Sequence, residues 1–404
     1  MNAIPASGAF DLDDSNHLRA LRAELPAVET RAYLNTGTAG PLPRAAAAAI
    51  QAELAHELAN GRCELADFDR AFAVMARLRG EFGRLLGGAA TDEIALTHHT
   101  SDGINIACWG LNWQPGDELL TTTLEHEGGL VPAYAAARRF GCDIRVADLG
   151  RGDDPQAMLD AVDAALTPRT RLLVISHVTW NTGAILPLGE LTALAHRRGA
   201  LVLVDGAQSI GAIPVDVRAL GCDFYAIPGQ KWLCGPEGIG ALYVRRDRLS
   251  LLRPTFASYF SLRDFESWNL DGDFYPAAGA RRFEVATVFR PALPGMLASL
   301  RFLDETVGQP FAYTRIAALA AHARKRIAAL PGATVLTPER HAGLVAFAVE
   351  GVEPDAAMRA LATEKIIIRS VPFGDRKVLR ASTGFYNTVE EIERLCEGLL
   401  RLAR

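Results

Sequence analysis

From residue 94 onward the chain alternates short apolar runs with stretches of helical period. IALTHH (94–99) reads as a strand and SDGINIACWGL opens a helix; ELLTTTL (118–124) reads as a strand before GLVPAYAAARRFG. DIRVADL, the helical DPQAMLDAVDAAL, TRLLVISHV, the helix ELTALAHRRG, ALVLVDGA, DFYAIPG and GALYVRR follow. Uninterrupted apolar strands between helices predict an α/β fold with a large, mostly parallel sheet covered on both faces. After about residue 290 the pattern changes. One helical stretch over 293–330 leads to ATVLTP, LVAFAVEG, a helix from Pro354 to Glu364, IIIRSV, KVLRAST and a last helix. Thr388 and Glu391 make a capping box for that helix. This predicts a smaller α+β C-terminal domain. The expected division is an N-terminal arm and helix (1–60), a large α/β domain (61–290) and the small domain (291–404).

Composition narrows the function classes. The 404 residues are 49% hydrophobic and 22% charged, so the chain buries a substantial core. A net charge of −5 argues against nucleic-acid binding through a basic surface. The longest apolar runs, LLVI and ALVLV, are strand-sized, far short of the roughly 20 residues of a membrane helix. The start, MNAIPASGAFDLDDSNHL, lacks a cationic n-region and a long apolar stretch, so no secretory signal is expected. The six cysteines are scattered without a C-x-x-C pair, as reduced thiols in a cytoplasmic protein would be. Of 42 basic residues only Lys231, Lys325, Lys365 and Lys377 are lysines. Arginine cannot replace a lysine that must act as a free amine.

Lys231 is crowded by glycine and proline in PGQKWLCGPEGIG, between two strands. It reads as a Schiff-base lysine, or as an ordinary loop lysine with equal weight. The other three lysines read as solvated. Asp205 ends the apolar strand LVLVD, where open α/β sheets bind ligands; alone it is as often a turn residue. Together, a lysine and a strand-end carboxylate are what a pyridoxal phosphate (PLP) site requires, the carboxylate keeping the pyridine nitrogen protonated. Thr100 and Ser101 open a helix, as a phosphate cradle or as a plain cap. His126 follows the next strand and could lie against a cofactor ring, although a lone histidine is usually structural. Arg380, on a predicted strand, could fork onto a carboxylate or sit in an ordinary ion pair. No dinucleotide, phosphate-loop or H-E-x-x-H zinc motif competes. His98 and His99, as neighbours on a strand, would face opposite ways, so no metal is expected.

In this order, YLNTGTAGPLP, HVTWNTGAILPL, LVLVDGAQSIGAIPVDVRALGCDFYAIPGQKWLCGPEGIGALYV and LRASTGFYNTVEEIE resemble the class V aminotransferase-fold, PLP-dependent enzymes of fold type I, over about residues 33–402. The chain is most similar to the isopenicillin-N-epimerase-like and sulfoxide-lyase-like branch. The resemblance implies that Lys231 binds PLP and moves the proton. It implies that Asp205 pairs the pyridine nitrogen, Gln208 bonds the ring hydroxyl and His126 stacks on the ring. Thr100, Ser101 and Gln230 would hold the phosphate, with Thr287 lent to the phosphate of a partner subunit in a homodimer. Arg380 would take the substrate α-carboxylate, and Asn35 would line the mouth.

The chain departs from the family pattern at Pro228, where relatives have serine, at Ala286, where glycine is common, and at Trp180, where the desulfurases have asparagine. No role is carried over to Trp180 or to the adjacent Asn181. The stretch IRSVPFGDRKVLR before Arg380 lacks the nucleophilic cysteine of cysteine desulfurases. The expected function is chemistry at Cα or Cβ of an amino acid, as an aminotransferase or a C–S lyase. Epimerisation is an alternative, and so is a binding or regulatory protein without turnover.

Overall fold

A computed structural model describes residues 15–286 and 288–403. An N-terminal arm carries helix α1 (Ser15–Ala23) and the two-residue strand β1 (Ala32–Tyr33), followed by α2 (Arg44–Asn60) and α3 (Leu65–Leu85). The large sheet and its helices run β2 (Ile94–Thr97), α4 (Thr100–Gly110), β3 (Glu118–Thr122), α5 (Glu127–Phe140), β4 (Asp143–Ala147) and α6 (Pro155–Ala165). They continue with β5 (Thr170–Ser176), α7 (Leu188–Arg197), β6 (Leu201–Asp205), α8 (Val217–Leu220), β7 (Phe224–Pro228) and β8 (Gly240–Val244). Then come α9 (Ala292–Arg301), α10 (Gln309–Ala328), β9 (Ala333–Val335), β10 (Leu344–Val349) and α11 (Pro354–Thr363). The chain ends with β11 (Ile366–Ile367), β12 (Arg369–Phe373), β13 (Arg376–Ser382) and α12 (Val389–Leu402).

The large sheet has the order β2-β8-β7-β6-β5-β3-β4, and only β8 runs against its neighbours. Its apolar strands are continuous because both faces are covered. In β6, Leu201 and Leu203 join the core beneath α4 and α5, while Val202 and Val204 face the core shared with α6 and α7. The predicted mostly parallel α/β sheet is therefore present, with a smaller antiparallel sheet, β12-β13-β10-β9, toward the C-terminus. In β13 the alternation is functional. Leu379 and Ala381 pack on α10 and α12, so Val378, Arg380 and Ser382 turn to the other face. That face looks toward the large domain, since the Trp180 carbonyl meets Arg380 there.

Three features differ from the sequence reading. The helix expected over 293–330 breaks at a π-helical turn (Phe302–Val307) ending at Gly308, whose φ is +78°. Pro310 then starts α10, and the lost backbone donor falls where a helix start has none to satisfy. Strand β2 stops at Thr97, so His98 and His99 lie beyond it: His98 pairs with Asp102 at 3.0 Å and His99 caps α4. Finally, β1 of the arm pairs in parallel with β11. Among the described residues no helix is long and apolar enough to cross a membrane, and no cluster of three His, Cys, Asp or Glu side chains could hold a metal ion.

Candidate active site

Ligands in open α/β sheets bind beyond the carboxyl ends of the parallel strands. That edge gathers most of the expected residues. Asp205 is the last residue of β6, Lys231 lies three residues past β7, His126 caps α5 after β3, and Thr100 and Ser101 open α4 after β2.

Lys231 is set apart from the other lysines by its surroundings. Lys325, Lys365 and Lys377 are exposed, and Lys377 is paired with Asp355 at 2.6 Å. No described residue forms a hydrogen bond or ion pair with the Lys231 amine. Burial pulls its pKa down to about 8; the Asp205 carboxylate holds it up in part, and Arg380 pushes it further down. An amine near 8 has an appreciable neutral fraction at ordinary pH, which is what a nucleophile and proton acceptor needs.

Asp205 has two roles, one per oxygen. Its Oδ1 accepts from Ala207 N at 2.9 Å, an Asx turn. Its Oδ2 faces the start of α5, where a Cβ on Gly129 would stand 3.3 Å away. Gly128 is constrained similarly: its Cβ would come within 2.9 Å of Ser101 Oγ. The bare glycines of EHEGG thus leave room between α4, α5 and Asp205.

His126 does serve as a cap, its Nδ1 accepting from Gly128 N at 2.9 Å. That fixes the neutral ring's proton on Nε2. Burial, then the Lys231 amine, lowers its pKa and favours the neutral ring. Thr100 turned out not to be the cap of α4, since His99 has that role. Instead the Thr100 hydroxyl is buried without a partner among the described residues, as is Gln230 Oε1. Orphaned buried polar atoms at a helix start are what an anion with hydrogen-bonding oxygens would satisfy. Gln208 is held on both sides. The indole N–H of Trp232 can only donate, so it meets Oε1 at 2.9 Å, while Nε2 donates to Gly37 O at 2.8 Å. One Nε2 hydrogen remains for a ligand oxygen. These residues fit PLP: an amine, a carboxylate for the ring nitrogen and unsatisfied groups for the phosphate. Thr287 lies outside the described residues.

Arg380 approaches from the small domain. It is 2% exposed, and burial followed by the neighbouring Arg369 lowers its pKa to about 9. Nη1 donates to Trp180 O at 2.6 Å, and Nη2 reaches Thr38 Oγ1 only at 3.4 Å. Thr38 in turn bonds Asn35 Oδ1 at 2.9 Å, bringing the arm to the site. Nε has no partner, and no described carboxylate pairs with the guanidinium. The Nε–Nη2 edge is the fork that takes a carboxylate. Arg79 uses it on Glu284 at 2.7 and 2.6 Å, and Arg326 on Glu393 at 2.6 and 2.6 Å. On Arg380 that same edge is open.

Residues 32–395 match the family model described as aminotransferase class-V. The chain belongs to the class V aminotransferase family. It is 34% identical over 386 residues to the isopenicillin N epimerase of Streptomyces clavuligerus, covering 91% of this chain and 93% of that one. It is 33% identical over 353 residues to a cysteine desulfurase of Klebsiella pneumoniae (strain 342), covering 82% and 83%. The probable cysteine desulfurase of Mycolicibacterium paratuberculosis is 32% identical over 86% of this chain, which spans half the length of that relative. Among solved structures, the complex of the cystine C–S lyase C-DES with its product cysteine persulfide superposes with a TM-score of 0.86 at 32% identity, over 94% of this chain and 99% of that one. This class V protein therefore has the PLP fold type I, PLP as cofactor and an enzyme's site.

Sequence reading missed two residues here. Glu125 is buried, with hydrogen bonds from Ser176 Oγ at 2.5 Å and Thr122 Oγ1 at 2.7 Å. Burial, only partly offset by those bonds, raises its pKa to about 7. Trp180 stands beside it, donating from Nε1 to Glu125 O at 3.2 Å. Neither carries a local signal: Glu125 and Glu127 flank His126 alike in the sequence, and only the fold sends one inward.

Proposed function

We propose that this chain is a PLP-dependent C–S lyase acting on a cysteine derivative whose sulfur carries a further substituent, without help from an enzyme thiol. The observation that carries the reading is the pairing of the open Arg380 fork and the unpaired Lys231 amine with a 366–380 hairpin that contains no cysteine. When bound, PLP supplies an electron sink for the charge left at Cα. Asp205 Oδ2 pairs the ring nitrogen, and Thr100, Ser101 and Gln230 hold the phosphate. The Arg380 Nε–Nη2 edge takes the α-carboxylate and fixes Cα. The Lys231 amine removes the Cα proton, and the sulfur group leaves Cβ with the bonding electron pair. A sulfur that bears a second sulfur or an oxygen leaves as a stabilised persulfide or sulfenate anion, so no enzyme nucleophile has to attack it. The thiols nearest Lys231 in sequence are inert: burial raises the pKa of Cys234 to about 12 and pushes that of Cys222 well up.

Epimerisation is the second reading, favoured by the full-length similarity to isopenicillin N epimerase. The working unit in this proposal is a cytoplasmic homodimer. Six free cysteines fit a reducing compartment. Phe256, Trp268, Leu270 and Phe289 are exposed, as apolar side chains that a second copy covers would be. The test is to incubate the holoenzyme with cystine, S-alkyl cysteines, cysteine sulfoxides and free cysteine. Keto acid, released sulfur and D-isomer are measured in parallel, and the cofactor lysine is mapped after borohydride reduction. Keto acid and sulfur from the substituted substrates, with label on Lys231, support the proposal. Label elsewhere, or sulfur release abolished by mutating one cysteine, would overturn it.

A further inference from the structure

Trp180 occupies a turn that the fold holds rigid. Thr179 N bonds Ala184 O at 3.0 Å, Ala184 N bonds Thr179 Oγ1 at 2.9 Å, and Thr182 N bonds Asn181 Oδ1 at 2.8 Å. The small domain fastens the same turn: Thr337 Oγ1 donates to Thr182 O at 2.7 Å and Ala342 N to Gly183 O at 2.9 Å. Gly183, at φ +77°, lies so close to β10 that a Cβ would come within 2.5 Å of Leu344 O. From this platform the half-buried indole reaches three ways. It packs on the small cluster of Val371, Val378, Ala346 and Leu336. Its Nε1 tethers the carbonyl of Glu125, the residue before His126. Its ring stands against the His126 imidazole with centroids 4.6 Å apart and planes at 86°. Its own carbonyl accepts from Arg380.

We propose that Trp180 is a positioning residue for His126, holding the imidazole in one orientation beside the cofactor cradle and covering part of it from water. A histidine on a turn has two side-chain torsions free. The Gly128 N–H on Nδ1 and Glu127 Oε2, 3.5 Å from Nε2, remove part of that freedom, and a perpendicular indole at 4.6 Å removes more. The Nε1 tether fixes the peptide on which the imidazole is mounted. Because one residue braces His126 and also meets Arg380, the ring-facing and carboxylate-facing groups keep a constant spacing. The purpose of this device rests on the PLP-site reading, but the bracing itself does not. Charged and titratable groups acting on His126 are Lys231, Glu127, Asp205 and Arg380, and burial outweighs them all in keeping the ring neutral. Removing the indole admits water and leaves those charges in place.

The experiment compares wild type, Trp180→Phe, Trp180→Leu and Trp180→Ala. His126 is titrated by NMR on cofactor-free protein labelled at histidine and assigned with His126→Gln. PLP affinity is measured separately by absorbance. In Trp180→Ala the His126 titration should move up in pH toward that of a free histidine. PLP should bind about 2- to 12-fold more weakly, the range of an aromatic contact. Trp180→Phe keeps a ring wall and should shift both less than Trp180→Ala. If Trp180→Ala does not fold, Trp180→Leu gives the same comparison with apolar volume retained, and the upward shift is again expected. A His126 titration unchanged in the folded variants overturns the proposal, whatever happens to turnover. A shifted titration in a protein that binds no PLP would support the bracing and refute the cofactor reading instead.

Discussion

Replacing Arg380 with methionine should make the protein more stable and nearly inactive. The guanidinium is 2% exposed, has no described carboxylate partner, and has its pKa lowered from 12.5 to about 9. The folded state therefore binds this proton less tightly than the unfolded state does. The resulting penalty is complete at every pH below about 9 and fades only as pH climbs beyond it. At 1.36 kcal/mol per pH unit it amounts to roughly 5 kcal/mol at neutral pH. Methionine fills similar volume but leaves the Trp180 carbonyl without its donor, which costs ~1–3 kcal/mol. The net gain is about 2–4 kcal/mol. With an unfolding entropy near 0.85 kcal/mol per degree for a chain this long, Tm should rise by roughly 2–5 °C. Losing the carboxylate fork should lower kcat/KM by roughly 30- to 5,000-fold, the ~2–5 kcal/mol of a truncated buried charge pair. The assay is a thermal melt of both holoenzymes with and without a non-reactive amino-acid analogue, beside steady-state kinetics. The analogue should raise the Tm of wild type but not of the variant, since ligand that binds only the folded state stabilises it. A variant that melts below wild type, or that keeps wild-type kcat/KM, refutes the reasoning.

Two further outcomes follow from buried carboxylates. Asp223 is fully buried and accepts from His196 and Arg248 at 2.8 Å each and from Val202 N at 2.8 Å, with Arg245 at 3.0 Å. Burial alone would raise its pKa, but the bonds from His196 and Arg248 win and lower it. Asp223→Ala removes the buried acceptor that His196, Arg248 and Val202 N share, leaving Arg245 and Arg248 only the Asp247 carboxylate among the described residues, and should cost ~3–5 kcal/mol, or roughly 4–6 °C in a melt, with turnover per folded molecule unchanged at low temperature. Glu125 is the opposite case. Its folded pKa of about 7 lies above the ordinary 4.5, so its stabilising effect is full below 4.5 and gone as pH passes 7. Glu125→Gln should therefore gain stability relative to wild type between pH 4.5 and 7, by at most roughly 3 kcal/mol, in melts across that range.

What the sequence disclosed follows the range of the interactions involved. Lys231 and Asp205 were legible because each ends or follows a strand whose apolar run is visible locally, and strand ends are where such sheets bind ligands. Arg380 was legible as a strand residue, but its missing counter-ion was not, because that depends on every side chain packed around it. Thr100 looked like a cap until His99 took the hydrogen bond from Asp102 N at 3.1 Å. Glu125 gave no signal and Trp180 showed only as a departure from the family pattern, since their partners lie on other strands and loops. Pattern also missed the break between α9 and α10: the apolar period continues across it, and only Gly308 and Pro310 interrupt the backbone.

The pairing of β1 with β11 joins positions about 330 residues apart. On a ribosome adding about 5–20 residues per second, the arm waits about 15–70 s for its partner. Asn35 and Thr38 wait with it for Arg380, whose Nη2 reaches Thr38. The large sheet is complete once β8 is made, so a nascent chain carries its lysine and carboxylate through about 150 further residues of synthesis before Arg380 exists. Two residues make too short an edge to template association with neighbouring chains during that interval. The arm behaves as a latch that closes only once β11 has emerged, and a chain truncated before residue 366 would keep the large sheet while never closing it.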